Sequence, residues 1–106
     1  MAKYLFIGSY TAEGARGLLK EGGSSRRRVA EEVVGSLGGS VEAYYFGFGS
    51  DDFYLIADLP DHAAAAALSL TVGSSGAITM RTIVLLAPED LDEATKRSVA
   101  YRPPGA

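Results

Sequence analysis

Aromatic and ionisable side chains gather in four strand-like segments, and through them this chain could bind or transform a small molecule. We assign one sheet face to Tyr4, Phe6, Glu42, Tyr44, Phe46, Tyr54, Asp58, Thr79 and Arg81. An apolar surface with a few placed polar groups is typical of small-molecule sites. Arg81 could bind an anion there, and Glu42 or Asp58 could act as a base if burial raised its pKa. Alternatively, the aromatic residues fill an interface and Arg81 pairs with a carboxylate.

Further candidates lie at the end of the first strand and at the start of an alanine-rich helix. The Tyr10 hydroxyl and the Lys20 ammonium could hold an acidic ligand, or they could flank a capped and solvated helix. His62 is the single histidine of the chain. It could carry a proton, because its unperturbed pKa lies near physiological pH, it could bind haem, or it could simply be exposed in the first helical turn.

These observations give two sets of candidate residues. The predicted ligand-binding residues are Tyr4, Phe6, Tyr10, Lys20, Tyr44, Phe46, Tyr54 and Arg81. The candidate acids and bases are Glu42, Asp58, Tyr10 and His62. The sequence contains no serine–histidine–acid order and no paired-carboxylate spacing that would identify one of them as catalytic. The identity of the catalytic residues is therefore unknown at this point.

Composition narrows the class of protein. The chain has 106 residues, a net charge of −3 and no cysteine. Its length suits one domain, and its acidic balance argues against a nucleic-acid partner. Without cysteine and with one histidine, we expect no metal site, and nothing calls for a cofactor. No apolar run approaches the roughly 20 residues of a membrane span, so we expect a cytoplasmic protein.

The candidate residues are positioned by elements that the residue pattern defines. Strands are predicted over residues 3–10, 41–48, 52–59 and 77–86. Two helical pieces follow the first strand, the second of them capped by Ser24 or Ser25 and ended by Gly38. A third helix, begun by Asp61, covers residues 63–72, and Pro88 opens a short fourth helix. The tail, residues 98–106, is predicted to be extended.

The order of these elements predicts an α+β fold for residues 1–106. Strand, helical pieces, hairpin, helix and strand form the split βαβ, or ferredoxin-like, arrangement, with a four-stranded antiparallel sheet. Its helices pack on one sheet face only.

Both faces of the predicted sheet are apolar, although such a sheet usually presents polar side chains on its solvated side. The face opposite the candidate site is assigned Leu5, Ile7, Ala43, Tyr45, Phe53, Leu55, Ala57, Met80 and Val84. Because the helices can cover one face only, we expect another copy of the chain to cover the second, as a homodimer or a higher homo-oligomer.

Much of the chain resembles the GYD-domain proteins. The resemblance rests on residues 3–14, 17–23, 58–61 and 101–105. It implies a dimeric α/β barrel, in a superfamily that includes cofactor-independent monooxygenases, isomerases, haem enzymes and ligand-sensing domains, and a family of unsettled activity. In the tripeptide that names the family, Asp52 matches the aspartate, whereas Asp51 replaces the tyrosine.

Two functions therefore remain open. The first is a homo-oligomeric protein that binds a small aromatic or acidic metabolite in a cavity of the dimeric barrel. The second is a cofactor-independent enzyme, of monooxygenase, isomerase or lyase type, that uses an acid or base in the same pocket.

Overall fold

The computed structural model describes residues 1–47 and 49–106. Its elements are β1 (Ala2–Tyr10), α1 (Ala12–Glu21), α2 (Gly23–Ser36), β2 (Ser40–Phe46), β3 (Phe53–Leu59), α3 (His62–Gly73), β4 (Ile78–Leu85) and α4 (Pro88–Thr95). The predicted end of the second strand, residue 48, lies outside the described residues. All the predicted helices and strands are present, with bounds that agree or differ by at most three residues.

The four strands form one antiparallel sheet in the order β2-β3-β1-β4. Helices α1, α2 and α3 pack against β1, β2 and the β3–β4 pair, respectively. The predicted α+β, ferredoxin-like arrangement is therefore confirmed.

Local capping explains where the helices begin. The Thr11 hydroxyl accepts a hydrogen bond from the Gly14 amide, and the Asp61 carboxylate accepts one from the Ala64 amide at 2.8 Å. Both side chains satisfy a donor that the first helical turn leaves free. The predicted serine cap of α2 is wrong, because α2 follows α1 through Gly22, whose φ of 81° suits glycine.

The hydrophobic core lies between the helices and one face of the sheet. Its fully or nearly fully buried residues are Tyr4, Phe6, Val34, Leu55, Ala57, Leu59, Ala64, Ala65 and Leu68. The alanines of α3 let this helix approach the sheet closely, since a methyl group requires little spacing.

Strand register corrects the predicted division of residues between the two faces. Tyr4 lies opposite Ala57, and Phe6 lies opposite Leu55, so β1 turns its even-numbered residues toward the helices. In β2, Tyr44 lies opposite Leu55 in the same way. Residues directly opposite each other project from the same face. Tyr4, Phe6, Tyr44 and Phe46 therefore belong to the helix face, not to the face that carries Tyr54 and Arg81.

No helix among the described residues covers the other face, which is here called the open face. It consists of Lys3, Leu5, Ile7, Ser9, Ala43, Tyr45, Tyr54, Ile56, Asp58, Thr79, Arg81, Ile83 and Leu85. Tyr45 is 71% exposed and Ile83 is 40% exposed. The prediction of large apolar side chains on both faces is therefore confirmed, although the membership of the faces was partly wrong. Among the described residues, no helix is both long and apolar enough to cross a bilayer.

Candidate functional site

Two adjoining cavities lie between α1, α2 and the helix face of the sheet, and together they are called the helix-side cavity. The inner one has a volume of about 50 Å³ and the outer one about 360 Å³. Both are lined by Arg26, Val29, Val33, Val72 and Ile78; Tyr44, Phe53 and Met80 belong to the inner one, and Tyr10, Glu13 and Glu21 to the outer one. The outer volume is at the lower end of the range for small-molecule sites.

Aromatic rings close the sheet side of this cavity. Tyr44 stacks on Phe53 with ring centroids 5.9 Å apart and planes at 8°. Tyr10 tilts against the same Phe53 ring at 5.6 Å, and Phe46 meets Tyr44 edge-on at 5.3 Å. Such pairs hold each other in place, so the rings form a preorganised surface on which a flat molecule could stack.

Glycine at position 8 makes room for the central ring. A Cβ built at Gly8 would lie 2.2 Å from two atoms of the Phe53 ring. The absence of a side chain at this position near the end of β1 therefore lets Phe53 lie flat across the sheet, between Tyr10 and Tyr44.

Two polar atoms at the cavity are buried without a hydrogen-bond partner among the described residues: the Tyr10 hydroxyl oxygen and Arg26 Nε. Arg26 is held only loosely, because its Nη1 atom lies 3.6 Å from a Glu21 carboxylate oxygen. A buried polar group left without a partner typically costs about 1–3 kcal/mol. Unsatisfied groups of this kind call for an explanation, such as a ligand or a water molecule.

Burial makes Tyr44 harder to ionise at the cavity. Desolvation raises the pKa of the Tyr44 phenol above its ordinary value, and the nearby Tyr10 hydroxyl adds to this effect. The two hydroxyls do not reach hydrogen-bond geometry, since the Tyr10 oxygen has no such partner.

Asp52 fixes the position of Tyr10. Its carboxylate accepts a hydrogen bond of 2.8 Å from the Tyr10 amide, and its own amide donates to the Gly8 carbonyl at 2.8 Å. The hairpin that joins β2 to β3 is thereby tied to the end of β1. The aspartate that matches the family tripeptide thus positions a cavity residue.

The polar atoms of the cavity favour a ligand that accepts hydrogen bonds. Arginine Nε can only donate, and the free Tyr10 hydroxyl can do so too. A carboxylate, carbonyl or phenolate oxygen could accept a hydrogen bond from either group, and Arg26 would favour the charged acceptors.

The predicted site residues are distributed over separate places. Tyr10 and Tyr44 lie at the helix-side cavity, and Phe46 lies beside Tyr10 in a neighbouring depression. Phe6 is fully buried in the core, and Lys20 is exposed on α1.

Tyr4 and His62 form a pair of their own. The Tyr4 hydroxyl and His62 Nδ1 are joined by a hydrogen bond of 2.6 Å, and Tyr4 is 1% exposed. They border an open groove between α3 and β4, so His62 lies away from the helix-side cavity.

The charged candidates Glu42, Asp58 and Arg81 are each paired with another charged side chain. Lys3 Nζ lies 2.8 Å from Glu42 and 3.0 Å from Asp58, and these hydrogen bonds raise the pKa of Lys3. Arg81 forms an ion pair of 3.1 Å with Asp51 at the other end of this face. Tyr54 lies on the same face, in register with Ile7.

Arg26 and Phe53 line the cavity but were not among the residues predicted to bind a ligand. Phe53 was assigned to the opposite sheet face, and Arg26 stands in a run of three arginines, which is typical of a solvated helix face. The available signal was helical spacing. Arg26, Val29 and Val33 follow one another at i, i+3 and i+7, which places Arg26 on the apolar stripe. Arg27 and Arg28 fall off this stripe and are exposed.

Among the described residues, no three histidine, cysteine, aspartate or glutamate side chains gather in a way that could hold a metal ion. In comparisons with known proteins, the GYD domain family model matches residues 4–95. No curated protein and no solved structure gave a significant match.

Proposed function

The chain belongs to the GYD domain family, and we propose that it is a homo-oligomeric protein that binds a small aromatic molecule with an acidic or other oxygen acceptor group. The ligand would occupy the helix-side cavity, with its ring against Phe53 and Tyr44. The observation that carries this proposal is the pair of buried donors without partners, Tyr10 and Arg26, beside an aromatic surface.

The proposed location differs from the one expected from the sequence, because the ligand is placed in the cavity under the helices and not in a cavity between two sheets. The chemistry is the one expected there, because Tyr10 and Tyr44 remain in the site. Arg26 takes the role of anion-binding arginine that was expected of Arg81, whose guanidinium already pairs with Asp51.

Binding of benzoate and 1-naphthoate, measured by isothermal titration calorimetry, tests the proposal. Arg26→Met and Tyr10→Phe should each weaken binding by roughly 10–100-fold, because each removes a donor to a charged acceptor. Arg27→Met and Tyr45→Phe are matched controls at exposed positions and should bind as the wild type does. Equal binding by all four variants, or no binding of either acid by the wild type, would count against the proposal.

The open face is the observation that supports a homo-oligomer. Its apolar residues would be covered if two copies packed face to face as a dimeric α/β barrel. The paired charges at its two ends would lie at the rim, where such pairs are tolerated.

An enzyme remains the second candidate, and Tyr10 is what favours it. Of the four candidate acids and bases, Tyr10 alone lies at the cavity, whereas Glu42 and Asp58 bond to Lys3 and His62 bonds to Tyr4. Conversion of an aromatic acid by the wild type would establish an enzyme, and loss of this turnover in Tyr10→Phe at a saturating concentration of the acid would assign the proton transfer to Tyr10.

A further inference from the structure

Residues 86–106, here called the C-terminal arm, lie apart from the rest of the molecule. Every residue of the arm is exposed, including all of α4. Its backbone and side-chain bonds join arm residues to each other: the Ala87 amide donates to Asp90, and Arg97 lies 3.9 Å from Glu93. The exposed residues include large apolar ones, namely Leu86 at 63%, Leu91 at 48%, Val99 at 80% and Tyr101 at 71%.

The dimensions of the molecule agree with an arm that projects outward. The radius of gyration is 16.9 Å, and the principal extents are 56 × 33 × 23 Å. A compact chain of about 100 residues has a radius of gyration of about 13 Å.

An isolated α4 would not be stable in water. It has eight residues, whereas isolated helices shorter than about 12–15 residues are marginal even with favourable sequences. Pro88 at the first helical turn and the hydrogen bond from the Ala87 amide to Asp90 favour a helix that begins here. A helix with such a defined start but without its own packing surface requires a surface from elsewhere.

The position at which the arm leaves the sheet indicates where that surface comes from. The arm follows β4, an edge strand, whose last residue Leu85 pairs with Lys3 at one corner of the open face. A second copy on the open face would therefore stand next to the beginning of the arm. The reach suffices: α4 spans about 12 Å and the following extended residues about 30 Å, more than the 33 Å middle extent of one copy.

We propose that the C-terminal arm of each chain packs on a second copy of the same chain and clamps the dimer, with Leu91, Val99 and Tyr101 against the partner. This inference rests on the homo-oligomer proposed above and adds an exchanged arm to it. The family match ends at residue 95, so the last part of the arm lies beyond the matched region.

Hydrogen exchange of the full chain tests whether the arm packs on the partner. It is measured by mass spectrometry at protein concentrations above and below the dissociation constant of the dimer. The amides of α4 should be protected in the dimer and should exchange freely after dilution to the monomer. Val99→Asp and Tyr101→Asp should weaken the dimer about tenfold or more, since each places a charge in a packed apolar contact. Leu19→Asp is the matched control, because Leu19 is an exposed apolar residue on α1.

The possible outcomes distinguish failure of the exchanged-arm proposal from failure of the face-to-face dimer. Protection of α4 at both concentrations would mean that the arm folds on its own domain, and free exchange within an intact dimer would mean that it stays in solvent. Either result overturns the exchanged arm and leaves the face-to-face dimer standing. A monomer at every concentration would overturn both.

Discussion

The two sides of the sheet differ in whether their polar groups have partners. On the side covered by helices, the hydroxyl of Tyr10 in β1 and Nε of Arg26 in α2 are buried without partners among the described residues, beside a cavity. On the open face, Lys3 pairs with Glu42 and Asp58 at one end of an apolar surface that is exposed to solvent. Unsatisfied donors around a small volume suit a small ligand, whereas a broad apolar area rimmed by satisfied charges suits a protein surface.

The comparison also indicates why one sheet can serve both purposes. The aromatic rings of the helix face are held by one another and by the hairpin, so the cavity does not depend on the open face. Changes on one side should therefore leave the function of the other largely intact, and variants can be chosen to break each side separately.

The largest expected effect concerns the open face. Ile83 is 40% exposed and lies beside Leu5 in the register. Ile83→Asp should weaken the dimer by roughly 100-fold or more, because an unpaired carboxylate would be buried between the sheets. Sedimentation equilibrium measures the dissociation constant of the dimer. The monomeric variant should still bind benzoate.

Leu19→Asp provides the control for this experiment, because it introduces the same charge at an apolar position of the helix layer, 88% exposed. It should leave the dimer unchanged. If Ile83→Asp and Leu19→Asp behaved alike, the open face would not be the interface.

Two adjacent aspartates in the hairpin, Asp51 and Asp52, should differ in how much each contributes to the free energy of unfolding. Both effects are expected to be smaller than that of Ile83→Asp. Asp52→Ala removes the carboxylate that accepts from the Tyr10 amide, so it should cost about 1.5–3 kcal/mol of unfolding free energy. Asp51→Ala removes a solvent-exposed pair with Arg81, whose side chain is 63% exposed, and should cost about 0.2–1 kcal/mol. Urea denaturation measures both.

The same two variants should differ in ligand binding. Asp52→Ala releases the end of β1 that carries Tyr10, so benzoate should bind more weakly, whereas Asp51→Ala should bind it normally. The reverse order of effects would mean that the family aspartate does not support the cavity.

The sequence predicted the elements well because their ends carry strong local signals. The Thr11 and Asp61 caps and the turn residue Gly38 determine boundaries through contacts within a few residues. The cap of α2 was mispredicted because Gly22 takes a conformation that let α1 run directly into α2 without a side-chain cap.

Strand register was not predictable from the residues in the same way. A shift by one residue exchanges the faces of a whole strand, and normally polar alternation reveals the correct choice. In β1, Tyr4 and Phe6 are as apolar as Leu5 and Ile7, so alternation gave no signal. In β2, the irregularity between Val41 and Ala43 shifts the pattern further.

The candidate site was therefore predicted in part. Tyr10 and Tyr44 were assigned to ligand binding and lie at the cavity, but Tyr44 was expected on the side of Tyr54 and Arg81, and Tyr10 was expected to act with Lys20 at the end of the first strand. Which polar atoms remain without a partner depends on packing between distant segments, and no local pattern encodes it.

The last prediction concerns the contribution of Tyr44 to the free energy of unfolding. It has no effect at neutral pH and appears only in alkaline solution. Burial raises the pKa of this phenol in the folded protein above its unfolded value of about 10. The folded state therefore keeps a proton that the unfolded state loses. The resulting stabilisation is fully present below pH 10 and is lost as the pH rises through the folded-state pKa.

Tyr44→Phe should remove this alkaline component, so that its unfolding free energy falls less steeply above pH 10 than that of the wild type. Urea denaturation across this range measures the slope, and absorbance of tyrosinate reports the ionisation itself. Tyr101→Phe retains Tyr44 and should keep the wild-type slope. A wild-type slope in Tyr44→Phe would mean that water reaches this phenol freely, and the aromatic surface would then be too solvated to select an apolar ring.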